Sequence, residues 1–338
     1  MSWIGLRDAS EGVLSAVGLG HANRGPAPDP DSLLVRDPWP SALTLCLDTD
    51  GTLRLLMRHG AQHLSRELAT DLDTFENVVQ ITYSWDCPAR HGTLSLYLPD
   101  HGKLFQTEVS APFPLSMRDA TRLMADHFLC KTDASLHFAA LSDDIEPAGP
   151  MPSIGENATI ETPKGQKAIE TFRPGDIVTT LDGDDAQVRW AGSHLLPARG
   201  RYAPCLLRAP YYGVTRNFLV GQDQRLYLSG SNIEYLFGKE EVIAAARHLV
   251  DHRAVLAVDS RPLTVRYHHI LLDRPAVIIV NGTPLESFDV RPLLGDPGVL
   301  RHSILRDLPP ELRPMATDLE IPVLHGFEAL TLTESARA

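Results

Sequence analysis

The chain has 338 residues, 43% of them apolar, enough to bury two ordinary cores. Its formal net charge of −12 leaves no broad basic face for nucleic acid or an anionic membrane, and no run of about 18 uncharged apolar residues offers a membrane span. Cys46, Cys87, Cys130 and Cys205 are too scattered for a zinc ribbon or a disulfide framework, so buried free thiols are expected, with no metal and no cofactor.

The amino end, Met1 to Asp8, lacks a basic segment followed by an apolar one, which makes the cytoplasm the default location and leaves signal-free export open. Residues 1–40 read as a leader, partly irregular, because Gly, Pro and Asp dominate from residue 8 onward. Residues 41–142 read as mainly β. Short alternating runs at 41–47, 52–57, 78–85 and 93–98, separated by turn residues, give the pattern of a sandwich. The paired strands carrying Tyr83, Trp85 and Tyr97 resemble those of laminin-G or concanavalin-like sandwiches, which leaves a glycan or protein ligand open for this domain. Ser116 and Asp119 form a capping-box-like start for a helix to about His127.

Within this half, Asp48-Thr-Asp50-Gly51-Thr52 has the spacing of the first motif of haloacid-dehalogenase phosphatases. The competing reading is an Asp-Gly hairpin, and it is favoured because residues 53–59 alternate like a returning strand and no strand-helix series follows. A calcium loop lacks its closing Glu.

Residues 143–152 concentrate proline, glycine and acid and read as a linker. Beyond them the pattern is a meander. Thr159-Ile160-Glu161 alternates as a strand, Pro163-Lys164-Gly165 and Arg173-Pro174-Gly175-Asp176 supply turns, and Asp182-Gly183 signals a hairpin before residues 186–190. Asp176 is placed to cap the Pro-Gly turn. The segment 240–250 reads two ways: its alanines favour helix by propensity, against a strand followed by a short helix.

The stretch Asn157–Val178 and five later blocks, at 203–209, 218–230, 234–249, 265–274 with 282–287, and 321–328, resemble in order the Hint (hedgehog/intein) fold, in particular bacterial Hint-domain proteins. The resemblance covers roughly residues 150–330. With the amino-terminal sandwich, it implies a mainly β chain, with a Hint-type β-domain at 153–330 and a tail at 331–338.

A Hint domain cleaves the peptide bond before its first residue. A thiol or hydroxyl attacks the preceding carbonyl, and a histidine with a nearby Thr or Ser polarises that carbonyl and protonates the departing nitrogen. The resemblance places the nucleophile at Ser153, the Ser/Thr position at Gly221, the histidine at Gln224 and a second histidine at Pro275; it retains His269, with Asp273 in the same block. Glutamine cannot deliver a proton at neutral pH. Ser153, Gln224, His269 and Asp273 are therefore expected to be vestigial catalytic positions, and the domain to serve as a scaffold or interaction module. Active self-cleavage at Pro152-Ser153 is the alternative, followed by binding through the sandwich. On this reading Ser153 is a linker residue, His268 and His269 face opposite sides of a strand so that they share no metal, and Asp273 pairs with Arg274.

Overall fold

The structure, a computed structural model, describes residues 2–8, 14–18, 41–48, 50–70, 78–115, 119–120, 123, 131–132, 136–258, 263–290, 297–313 and 319–335. The chain divides into two compact units, Met1–Gly149 and Pro150–Ala338. No helix among the described residues is long and apolar enough to cross a membrane.

The first unit contains two antiparallel sheets. One orders its strands Leu136–Ser142, Ser2–Asp8, Val78–Asp86, His91–Leu98 and Lys103–Ser110; the other runs Gln62–Leu68, Leu53–His59, Ser41–Leu47, Leu14–Gly18 and Lys131–Thr132. Alternation decides which side chains meet. Leu43, Leu45, Leu47, Leu53 and Leu55 from one sheet join Val79, Ile81, Tyr83, Trp85, Leu94 and Leu96 from the other in a single buried cluster. Two spans differ from the sequence reading. Residues 2–8 and 14–18, inside the span read as a leader, are strands that pair in register with Val78–Asp86 and Ser41–Leu47. Long-range pairing recruits both. Of the helix expected over 116–127, Asp119, Ala120 and Leu123 are helical and the rest lies outside the described residues.

Asp48 to Thr52 is a hairpin. Leu47 pairs with Leu53 across it, Asp48 N–H donates to Thr52 O at 2.9 Å, and Gly51 takes a φ of 81° that other residues adopt only at a cost. Asp48 forms an ion pair with Arg54, and Asp50 accepts the Thr52 N–H. The antiparallel return excludes the parallel sheet that the phosphatase reading needs.

The second unit also has two sheets. A seven-stranded one orders Ile177–Thr179, Asp185–Pro197, Thr264–Leu272, Ile154–Gly155, Phe218–Val220, Cys205–Leu207 and Val255–Ala257; a six-stranded one orders Gly165–Ala168, Thr159–Thr162, Val277–Val280, Thr283–Glu286, Arg225–Ser229 and Glu241–Ala245. Ile154, Val188, Val220, Ile270 and Leu272 from the first join Ile160, Leu226, Ala244, Ile278 and Leu285 from the second in one core.

The turns carry the expected chemistry. Gly175 has a φ of 95°, and Asp176 Oδ2 accepts Arg173 N–H at 2.7 Å and Lys167 Nζ at 2.6 Å, so these donors hold its carboxyl below the usual range. Asn281 and Gly282, with φ of 46° and 84°, close the hairpin between Val277–Val280 and Thr283–Glu286. Residues 241–245 form a strand and 246–249 a 3-10 turn, because pairing with Arg225–Ser229 overrides the helical preference of alanine. The helix Gly326–Ser335 buries Ala329 and Leu332 in the core and spans the expected start of the tail at residue 331.

Candidate functional site

The residues around the Pro152-Ser153 bond come together through two neighbouring strands. Ile154 pairs with Val220 on one side and with His268 on the other, so the bond lies beside the loop that follows Val220. Gly221 N–H donates to Ser153 O at 2.6 Å. A Cβ on Gly221 would overlap the Pro152 carbonyl oxygen and lie 2.6 Å from its carbon. Glycine is therefore the side chain that this approach of backbone to backbone admits.

Ser153 is 6% exposed and not a free linker residue. Its Oγ donates to Gln224 Oε1, and the same amide, also 6% exposed, donates through Nε2 to Glu286 O at 2.9 Å and Arg225 O at 3.2 Å. Both acceptors of Nε2 are carbonyls, so the amide cannot be turned over: its oxygen faces the serine. Gln224 N–H completes a turn to Gly221 O at 3.1 Å, and Arg225 pairs with Glu286 at 3.0 Å.

His269 is fully buried, with the His194 ring stacked at 5.3 Å and Phe288 tilted against it at 4.6 Å. Neither of its ring nitrogens has a hydrogen-bond partner, so burial first, then the neighbouring His194 and His268, keeps its pKa well below the ordinary histidine value. His194 is lowered to about 4, by burial and then by Arg266 and His268. His268 points to the opposite face from His269, toward the side that Ile270 and Leu272 share.

Asp273 is at the end of its strand, where its N–H donates to Gln187 O at 2.9 Å and its carboxylate accepts Gln187 N–H at 3.2 Å. The expected Asp273-Arg274 pair is absent. Arg274 instead reaches Asp182 at 3.9 Å and Asp184 at 3.7 Å, because adjacent residues of an extended chain point apart. Of the four predicted positions, the structure thus links Ser153 and Gln224 directly, while His269 lies in a ring stack and Asp273 ties two strands together.

Four residues of the same loop environment, Arg201, Gln222, Asp223 and Arg247, carry no local sequence signal. Asp223 accepts Arg201 Nη2 at 2.9 Å and pairs with Arg247; these arginines are 22 and 24 residues away. Gln222 Nε2 donates to Gly200 O at 2.8 Å. The loop 221–224 is thereby tied at every residue. Cys205, buried nearby, has its thiol pushed up to about 12 by burial and the Asp223 charge, so it is an inert core thiol and not a nucleophile.

This order of elements agrees with a family comparison: the family model described as "Hint domain" matches residues 152–291. The chain carries a Hint domain. Its structural neighbours include the crystal structure of the MchDnaB-1 intein, with 15% identity, 40% of this chain and 100% of that chain covered, and a TM-score of 0.28. The solution structure of a bacterial intein-like domain from Clostridium thermocellum matches with 15% identity, 41% and 100% coverage, and a TM-score of 0.27. The LG1-3 region of the laminin alpha2 chain matches with 8% identity, 84% and 58% coverage, and a TM-score of 0.24, and no weight rests on overlays at these scores. No curated protein matches.

Proposed function

We propose that this Hint domain does not cleave the chain and acts as a folded scaffold that keeps the sandwich covalently attached. The observation that carries the reading is the hydrogen bond from Ser153 Oγ to the fixed amide oxygen of Gln224. Attack on the Pro152 carbonyl requires a base to take the serine proton, and an amide oxygen does not accept it at neutral pH. Departure of the Ser153 nitrogen requires an acid. Gln224 has none to give, and both of its amide protons go to backbone carbonyls.

The developing oxyanion would also go unsupported. Pro152 O faces Gly221, which has no side chain, and the Gly221 N–H is committed to Ser153 O. His269, kept neutral by burial and enclosed by His194 and Phe288, is not an imidazolium that could act as an acid near pH 7. Loss of an acid/base group costs about 10²–10⁴ in rate and loss of an oxyanion donor about 10²–10³, so together they remove about 10⁴–10⁷.

Intact-mass measurement of the full chain tests this. The chain stays at 37.1 kDa through prolonged incubation with thiol or hydroxylamine. A fragment ending at Pro152 that disappears in Ser153→Ala would refute the proposal in favour of self-cleavage.

A further inference from the structure

The sandwich has a feature that the Hint reading does not use. A cleft of about 730 Å³ lies where the strands Gln62–Leu68 and Lys103–Ser110, each at the edge of its sheet, approach one another, and this volume is in the range of small-ligand sites. Arg66, Arg90, His59 and His63 line it, with Phe113 and Pro112 as an apolar wall, and its lining contains no Asp or Glu. In a chain of net charge −12 such a lining is distinctive. Of the closest acids in sequence, Glu67 pairs with Arg54 at 2.9 Å, and Asp86 accepts the Ala89 N–H at 2.9 Å.

Backbone geometry supplies a second, independent observation. Arg90 has a φ of 55° and Ala111 a φ of 50°, and the two are joined by the bond from Ala111 N–H to Arg90 O at 2.9 Å. Arg90 closes the turn from Cys87, with its N–H donating to Cys87 O at 3.1 Å. Glycine adopts this left-handed conformation without steric cost, whereas arginine does not. Arg90 also makes no side-chain hydrogen bond or ion pair among the described residues, which leaves its guanidinium uncommitted beside the cleft. Residues held in such conformations cluster at ligand sites.

We propose that this cleft binds a small organic oxyanion, its phosphate, sulfate or carboxylate group held by Arg66 and Arg90 and its ring or apolar part lying against Phe113 and Pro112. The guanidinium fork matches the paired oxygens of such groups. Phe113 already packs its ring against His59 at 5.9 Å, which presents a flat surface beside the charged one.

Calorimetric titration of the full chain with phenyl phosphate, phenyl sulfate and benzoate, with benzyl alcohol as the neutral control, tests the proposal. At least one anion binds with a submillimolar Kd, and the arm that binds tightest names the group. Arg90→Gly and Arg66→Ala each weaken that binding at least tenfold, while Arg90→Gly keeps or raises the melting temperature because it relieves the positive φ. Arg90→Lys, which retains the charge and loses the fork, binds at an intermediate level. The proposal is overturned if no anion binds, if benzyl alcohol binds as well as the anions, or if both arginine variants bind like the parent chain. None of these outcomes depends on whether residues 150–338 cleave or scaffold.

Discussion

Gly221→Ala isolates the backbone approach between Gly221 and the Pro152-Ser153 bond. The new methyl would overlap Pro152 O and lie 2.6 Å from the Pro152 carbon, against an ordinary contact that begins near 3.4 Å. The two segments must part, which lengthens the 2.6 Å bond from Gly221 to Ser153 and pulls on the neighbouring Ile154-Val220 pair. Overpacking of this kind costs about 1–3 kcal/mol, and a weakened hydrogen bond adds about 1 kcal/mol. Gly221 does not have a positive φ, so alanine meets no dihedral penalty and gains about 0.4–1 kcal/mol by restricting the unfolded chain. The net loss is about 1–3.5 kcal/mol. Urea-dependent alkylation of Cys205, located by peptide mass, reports opening of this unit alone, because the thiol is 1% exposed in its core. With a urea slope of about 2 kcal/mol per molar, the midpoint falls by roughly 1 M. A midpoint within about 0.3 M of the parent chain would show that Pro152 is not held against Gly221.

The histidine stack makes the Hint unit acid-sensitive. His194 and His269 have folded-state pKa values below that of the unfolded chain, so the unfolded state binds more protons below about pH 6.5. Their stabilisation is complete above that pH and is lost as pH falls from about 6.5 toward 4 through His194, and further for His269. Because the His194 ring is only partly covered, it contributes about 1–2 kcal/mol to the difference between pH 7 and pH 5. The Cys205 midpoint drops between these two pH values, and His194→Phe reduces the drop; equal midpoints would contradict the neutral stack. Asp223→Asn leaves Arg201 and Arg247 without their shared carboxylate and lowers the same midpoint by the equivalent of about 3 kcal/mol, whereas a change under about 0.5 kcal/mol would mean the loop 221–224 is held by its backbone bonds.

The turns of the Hint domain were legible because their chemistry is local. Asp176 caps a turn three residues back, and Asp182-Gly183 returns one strand on the next. The strands at 2–8 and 14–18 are hidden in the sequence for the opposite reason. Residues 2–8 and 14–18 become strands only by pairing with partners far along the chain, and no short window shows such a partner. The segment 240–250 falls between these cases: alanine propensity argued for helix, and a sheet edge waiting at residues 225–229 decided for strand.

The sequence by itself determined the kind of side chain at each position that the Hint resemblance singles out: a serine at 153, glycine at 221 and glutamine at 224. Residue type sets what a group can donate or accept, and that needs no coordinates. The tertiary structure alone decided how those groups are used. It turned the Gln224 oxygen toward Ser153, set Gly221 against the Pro152 carbonyl, enclosed His269 between His194 and Phe288, and gathered Arg66 and Arg90 around one cleft. These are juxtapositions across sheets and distant loops, fixed by packing and strand register rather than by neighbouring residues.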